Sequence, residues 1–200
     1  MSQIIHEYVV KYGILAPMTR PEEQHLVKQA QLDAQRFTAL YLAFVDEIYR
    51  FIYFKTSVKE TAEDLTAQVF MQALEHLTEF RYAPGARFSS WLYAIARNKV
   101  IDYYRRHKET VGLEDIAERS TPETATHHVD AQFQQQRIHV ILQLLPSPDQ
   151  EVLQLRLWQD KTYSEIAQIV QSNAVAVRAR YSRALKKFKQ FYLQHYGQTD

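Results

Sequence analysis

Residues 162–188 read TYSEIAQIVQSNAVAVRARYSRALKKF, and how this stretch is parsed decides the fold of the whole chain. Thr162 and Glu165 have the three-residue separation of a capping box, which opens a short helix through Val170. Ile166 and Ile169 point inward, and Ala167 is small where a second helix must cross closely. Gln171 and Ser172 form the turn, and Asn173 caps the helix that follows. That helix lines Ala174, Val177, Tyr181, Ala184, Leu185 and Phe188 along one buried face, leaving Ala176, Arg178, Arg180, Arg183, Lys186 and Lys187 outside. Two helices joined by so short a turn, with a basic and short-side-chained outer face on the second, are a helix-turn-helix suited to a DNA major groove. Arg178 and Arg180 lie near the entering end, where an arginine donates two hydrogen bonds to guanine. Arg183, Lys186 and Lys187 suit phosphate contacts, which position a protein without reading sequence.

Working towards the N-terminus, Ser147, Pro148 and Asp149 give a helix start with Ser147 as cap, and Pro146 ends the helix before it. Val152, Leu155 and Trp158 supply the buried face of one helix, Ile138, Ile141, Leu142 and Leu145 that of the other. From Lys108 to about Gln132 the periodicity fades into a polar stretch that reads as a linker. Before it, Ser89 or Ser90 caps a helix running to about His107, with Leu92, Ala96 and Val100 facing inward, and Pro84–Gly85 mark a loop. Leu65, Val69, Ala73 and Leu77 repeat every four residues along a helix from Glu60 to Leu77, with Asp64, Gln68 and Gln72 as a parallel polar stripe. Residues 37–55 place Phe37, Leu40, Tyr41, Phe44, Ile48, Phe51 and Ile52 on one core-forming face.

Composition agrees with this helical reading. The 200 residues are 46% apolar, enough for a core, and contain only four glycines and six prolines. The fold expected is all-α, two small helical domains joined by a flexible linker: an N-terminal extension of unknown role over 1–35, a first domain over 36–108, the linker over 109–132 and a helix-turn-helix domain over 133–196. The net charge of +1 hides segregation. Six basic residues and no acid lie between Arg178 and Lys189; five basic residues and Asp102 lie between Arg97 and Lys108; the segment between these stretches is acidic. Two basic patches around an acidic spacer suit two contacts with a polyanion.

Several function classes are set aside. There is no cysteine, so no disulfide, thiol nucleophile or Cys-ligated zinc, in keeping with a reducing cytoplasm. No run approaches the roughly 20 apolar residues that span a bilayer, and His6, Glu7 and Lys11 break the N-terminal apolar stretch that a signal peptide needs. The eight histidines are scattered without ligand spacing, so neither a metal-dependent nuclease nor any cofactor is expected.

The residues resemble the sigma-70-like RNA polymerase sigma factors, specifically the two-domain extracytoplasmic function (ECF) group. TYSEIAQIVQSNAVAVRARYSRALKKF is similar to the family's region 4, AEDLTAQVFMQAL (62–74) to region 2.2, and ARFSSWLYAIARNKVIDYYRR (86–106) to regions 2.3 and 2.4. The resemblance covers about residues 37–190. It implies a non-catalytic cytoplasmic protein whose Asp64, Gln68 and Gln72 dock on core RNA polymerase. It also implies that the loop from Arg81 to Ser90 and the helix after it capture the nontemplate strand of the minus-10 element. There Tyr82, Phe88 and Trp91 interleave with Arg81, Arg87 and Arg97, the combination that holds unstacked bases and phosphates. Ser90 belongs to the same surface, Trp91 fits a core residue better than a stacking platform, Asn98 is the best single candidate for touching a single-stranded base, and Arg105 and Arg106 hold backbone phosphate.

In region 4 the resemblance carries the minus-35 contacts to Arg178, Arg180 and Arg183, with Asn173, Lys186 and Lys187 around them. Promoter DNA, duplex and single-stranded, and core polymerase are the partners implied, with an anti-sigma factor as a third. The sequence departs from the family at Gln171, where glycine is frequent and a left-handed backbone would cost about 1 kcal/mol, and at the apolar Ala174–Ala176. The alternative is an ordinary helix-turn-helix regulator with an N-terminal sensing or dimerisation domain.

Overall fold

Thr19 starts the first helix of the computed structural model, which describes residues 18–82, 87–110 and 137–197. The expected linker beyond Thr110, the Pro84–Gly85 loop, the first 17 residues and Phe133 lie outside the described residues. The chain divides into two compact units, one holding the helices from Arg20 to Thr110 and the other the helices from 137 onward apart from Gln168–Val170.

In the first unit, α1 (Arg20–Leu32) opens on a capping box in which Glu22 accepts from the Thr19 backbone and hydroxyl at 2.8 Å each, with Pro21 in the first turn. α2 (Phe37–Thr56) buries Phe37, Leu40, Phe44, Ile48, Phe51 and Ile52 on the expected face and stops at Ser57, whose φ of 57° turns the chain out of the helix. α3 (Lys59–Glu75) presents Leu65, Val69 and Ala73 to them, and a 3-10 turn (Leu77–Glu79) follows. α4 (Phe88–Thr110) closes the core with Phe88, Leu92, Tyr93, Ala96 and Val100. Each such side chain contributes about 1.5–3 kcal/mol on leaving water, and rings meet edge-on at Phe51–Tyr93 (5.1 Å) and tilted at Phe44–Phe88 (5.9 Å).

Two expectations are corrected here. Residues 20–32, placed before the first domain, pack into it: Val27 and Ala30 of α1 are buried, and Gln31 donates to the carbonyls of Leu77 and Phe80 at 2.9 Å each. α4 also begins at Phe88, so neither Ser89 nor Ser90 is its cap. Both serines turn inward, 2% exposed, their hydroxyls buried without a partner among the described residues.

In the second unit, α5 (137–143) buries Ile141 and Leu142. α6 (Ser147–Leu157) starts one residue earlier than expected, with Pro146 rather than Ser147 in the cap position, and buries Val152, Leu153 and Leu155. α7 (Tyr163–Ile169) carries the expected capping box: Glu165 accepts from the Thr162 amide and hydroxyl at 2.7 Å each, and the Thr162 hydroxyl accepts from the Glu165 amide at 3.2 Å. Gln171 makes the turn, and Asn173 caps α8 (Ala174–Tyr196) by accepting from the Ala176 amide at 2.8 Å. Val177, Ala184 and Phe188 are buried; Ala174, Tyr181 and Leu185 are half-buried.

The turn carries a conformation that its residue does not favour. Gln171 has φ 54°, which costs an L side chain about 1–2 kcal/mol. Gln171→Gly removes that strain while adding freedom to the unfolded chain, so a net gain of about 0.5 kcal/mol is expected. Chemical denaturation of the second unit checks it; a loss of stability would mean that the glutamine side chain supports the turn.

Candidate nucleic-acid interface

Helix α4 organises the first candidate surface. Trp91, Ile95 and Asn98 recur at intervals of four and three, so they share one stripe of the helix. Asn98 is exposed, and Trp91 is half-buried, its ring 5.1 Å from Phe80 and 5.5 Å from Phe88. Beside this stripe, Gln72, His76, Glu79, Phe80, Trp91 and Ile95 line an open recess of 380 Å³. Further along, Arg105 pairs with Asp102 at 3.0 Å, and Arg105 and Arg106 are both exposed. Arg81 is exposed, its guanidinium donating to the carbonyls of Thr78 and Phe80.

Phe88 and Ser90, expected on this surface, lie inside instead. Phe88 has no exposed area and contacts Phe44, Phe80 and Trp91. The early start of α4 turns both toward the core, so they support the surface rather than form it. Tyr82 is half-buried; burial, and then the charge of Glu23, hold its phenol well above its usual range, so it stays a neutral hydrogen-bond donor. Glu23 was not singled out by sequence reasoning. It is fully buried and accepts from the Phe88 amide at 2.7 Å, with Arg87 Nε at 3.3 Å and the Tyr82 hydroxyl and Ser89 amide at 3.4 Å.

A second surface lies between α2 and α3. Asp64 and Gln68 are exposed and Gln72 half-buried on α3. Beside them runs an open groove of 570 Å³ whose walls include Tyr41, Val45, Phe70, Met71 and Leu74, with Asp46 and Glu63 at its edge. Met71 is 63% exposed, and Tyr41, expected in the core, is 40% exposed. The three-four periodicity of α2 is wide enough to admit Tyr41 to the apolar face, and only the tertiary structure shows that its ring meets Phe70 of α3 edge-on at 4.9 Å while the described helices leave 40% of the residue exposed.

The third surface is α8. Arg178, Arg180, Arg183, Lys186 and Lys187 are all exposed, and Lys187 reaches Asp149 on α6 at 3.3 Å. Asn173 is exposed with its oxygen engaged in the cap. At the entering end of the helix Val175 is 80% exposed, an apolar side chain held in water where no packing requires it. Among the described residues, no cluster of three His, Cys, Asp or Glu is arranged to hold a metal, and no helix is long and apolar enough to cross a membrane.

These surfaces fall within matched family regions. The chain matches Sigma-70 region 2 over residues 40–110 and Sigma-70, region 4 over residues 135–188, together more than half its length. It is 32% identical over 168 residues to the ECF RNA polymerase sigma factor BldN of Streptomyces coelicolor, covering 80% of this chain and 62% of that protein. It is 27% identical over 154 residues to the ECF RNA polymerase sigma factor SigM of Bacillus subtilis, covering 76% of this chain and 93% of that protein. Among solved structures, the fold is similar to CnrH, in complex with the cytosolic domain of CnrY (TM-score 0.63, 21% identity, 84% of this chain and 95% of that one). It is also similar to the sigma factor RpoE of Bartonella quintana, in complex with the anti-sigma factor NepR (TM-score 0.59, 20% identity, 78% and 95%).

Proposed function

This chain belongs to the ECF group of the sigma-70 family of RNA polymerase sigma factors, and from that premise we propose how its surfaces divide the work of promoter-specific initiation. The α2–α3 face binds core RNA polymerase: Asp64, Gln68 and Gln72 form a polar rim beside the apolar groove of Tyr41, Met71 and Leu74, the arrangement of a protein interface. Helix α8 enters the minus-35 major groove, with Arg178, Arg180 and Arg183 on bases and phosphate, Lys186 and Lys187 on phosphate, and Asn173 holding the helix start. The exposed methyls of Val175 suit the C5-methyl of a thymine. Helix α4 captures the melted minus-10 strand through Trp91 and Asn98, with Arg81, Tyr82, Arg105 and Arg106 around them.

One observation carries this reading: a stripe of half-buried Trp91 and exposed Asn98 continuing into exposed basic residues, on a different unit from an exposed basic recognition helix. A duplex-only regulator needs the second and has no use for the first. Sigma factors are not enzymes, and we assign this chain no catalytic step: unpaired bases are held, and the few kcal/mol of base extrusion are met by those contacts and by the polymerase. The Bartonella relative was solved with an anti-sigma factor, and we extend that partner class, together with a cytoplasmic site of action, to this chain.

Run-off transcription with purified core polymerase over a randomised promoter library tests the proposal. Initiation that depends on the protein is expected, and transcription indifferent to it sinks the reading. A gel shift separates the alternative: tight promoter binding only when core enzyme is added marks a sigma factor, whereas an ordinary regulator binds duplex alone.

A further inference from the structure

The most unusual side chain in the first unit is a carboxylate that the interface itself does not use. Glu23 sits one turn into α1 with no exposed area, and it meets four donors across more than fifty residues of sequence: the amides of Phe88 and Ser89, Arg87 Nε and the Tyr82 hydroxyl. The two amides belong to the first turn of α4, whose N–H groups have no partner inside the helix. A negative charge there is also favoured by the helix dipole. Serine caps were expected at this helix start; Glu23 takes their place from another element.

Three further bonds run the same way. Arg87 Nη2 donates to the Met18 carbonyl at 2.6 Å, and Gln31, at the far end of α1, donates to the Leu77 and Phe80 carbonyls at 2.9 Å each. α1 therefore grips the connection between α3 and α4 from both sides, on Leu77 and Phe80 before it and on Tyr82, Arg87 and Phe88 at and beyond it. The rings of Phe80 and Phe88 in turn flank Trp91.

We propose that Glu23 is a positioning residue for strand capture: it fixes the start of α4 and the Tyr82 and Arg87 side chains, and so sets the direction in which Trp91 and Asn98 face an unpaired strand. The inference rests on the strand-capture reading of α4. A carboxylate suits the task because it accepts several bonds and donates none; the amide of a glutamine would turn donors toward donors. Its bonds are charge-assisted and desolvated, so they hold one geometry instead of a family of them.

Glu23→Gln and Glu23→Asp in a Trp158→Phe background, which leaves Trp91 as the only tryptophan of the two, test this with the full chain and core polymerase. Three quantities are read below the melting point of each variant: affinity for core, affinity of the assembled holoenzyme for a single-stranded nontemplate oligonucleotide from a promoter recovered in the transcription assay, and Trp91 emission. Glu23→Gln should lose about tenfold or more in strand affinity, the scale of a buried charge-assisted bond, with core affinity within about twofold and a shifted Trp91 emission. Glu23→Asp, which keeps the charge, should recover part of the loss.

Wild-type strand affinity in Glu23→Gln overturns the proposal. Core and strand affinities falling in parallel overturn it as well, because Glu23 is then only a fold residue. A wild-type holoenzyme that fails to bind the oligonucleotide refutes the strand-capture reading itself, which is a different failure.

Discussion

Truncating Phe88 to alanine is expected to destabilise the α1–α4 unit by about 3–5 kcal/mol, the range for a fully buried ring deleted from a core that relaxes only in part. The ring has no exposed area and lies 5.9 Å from Phe44, 5.4 Å from Phe80 and 5.5 Å from Trp91, centroid to centroid. It therefore joins α2, the residue after the 3-10 turn and the start of α4, and the void it leaves opens where all three meet. Phe88→Leu keeps most of the volume and should cost less than about 1.5 kcal/mol. Denaturant unfolding of the full chain, followed by circular dichroism, measures both. An alanine variant as stable as the parent would return Phe88 to the DNA-facing set from which its burial removes it.

Phe88 also shows where sequence reading stops. An aromatic beside arginines and serines fits a nucleic-acid surface and a helix start equally well, because periodicity locates a residue on a helix only after the first residue of the helix is known. The start here is fixed by Glu23, 65 residues away, and no local pattern encodes a cap supplied across that distance. Where caps are local the sequence was sufficient: Thr162 with Glu165, and Asn173 with the Ala176 amide, were legible because donor and acceptor lie three residues apart.

The same contrast runs through the candidate surfaces. Arg178, Arg180 and Arg183 were identified as outward-facing because Val177, Ala184 and Phe188 claim the opposite side of α8, a decision made within one helix. Tyr41 was misassigned to the core because its exposure depends on which elements of the unit leave the α2–α3 groove open. The role of α1 was illegible for a related reason: its buried face is short, only Val27 and Ala30 beside Glu23, and a buried glutamate reads in a sequence as a solvated one. The capping box of Thr19 and Glu22 accounts for where the helix starts and says nothing of what it holds.

Replacing Arg178, Arg180 and Arg183 together by alanine is expected to weaken holoenzyme binding to the minus-35 duplex by about 3 kcal/mol or more, on the order of a hundredfold. The estimate combines about 1–3 kcal/mol for a bidentate base contact with smaller losses at phosphates. All three side chains are exposed, so the folded unit should melt as the parent does. The single variants separate the roles: a base-reading arginine loses affinity for one promoter and relaxes specificity at one position, whereas a phosphate-binding one loses affinity evenly and lowers the salt slope by about 0.9 per contact. Arg→Lys sharpens the distinction, since lysine keeps the charge at a phosphate and cannot reproduce a two-bond fork on guanine. If the triple variant holds the minus-35 duplex as tightly as the parent, α8 is not the recognition helix, and its six basic residues would be an ordinary solvated face.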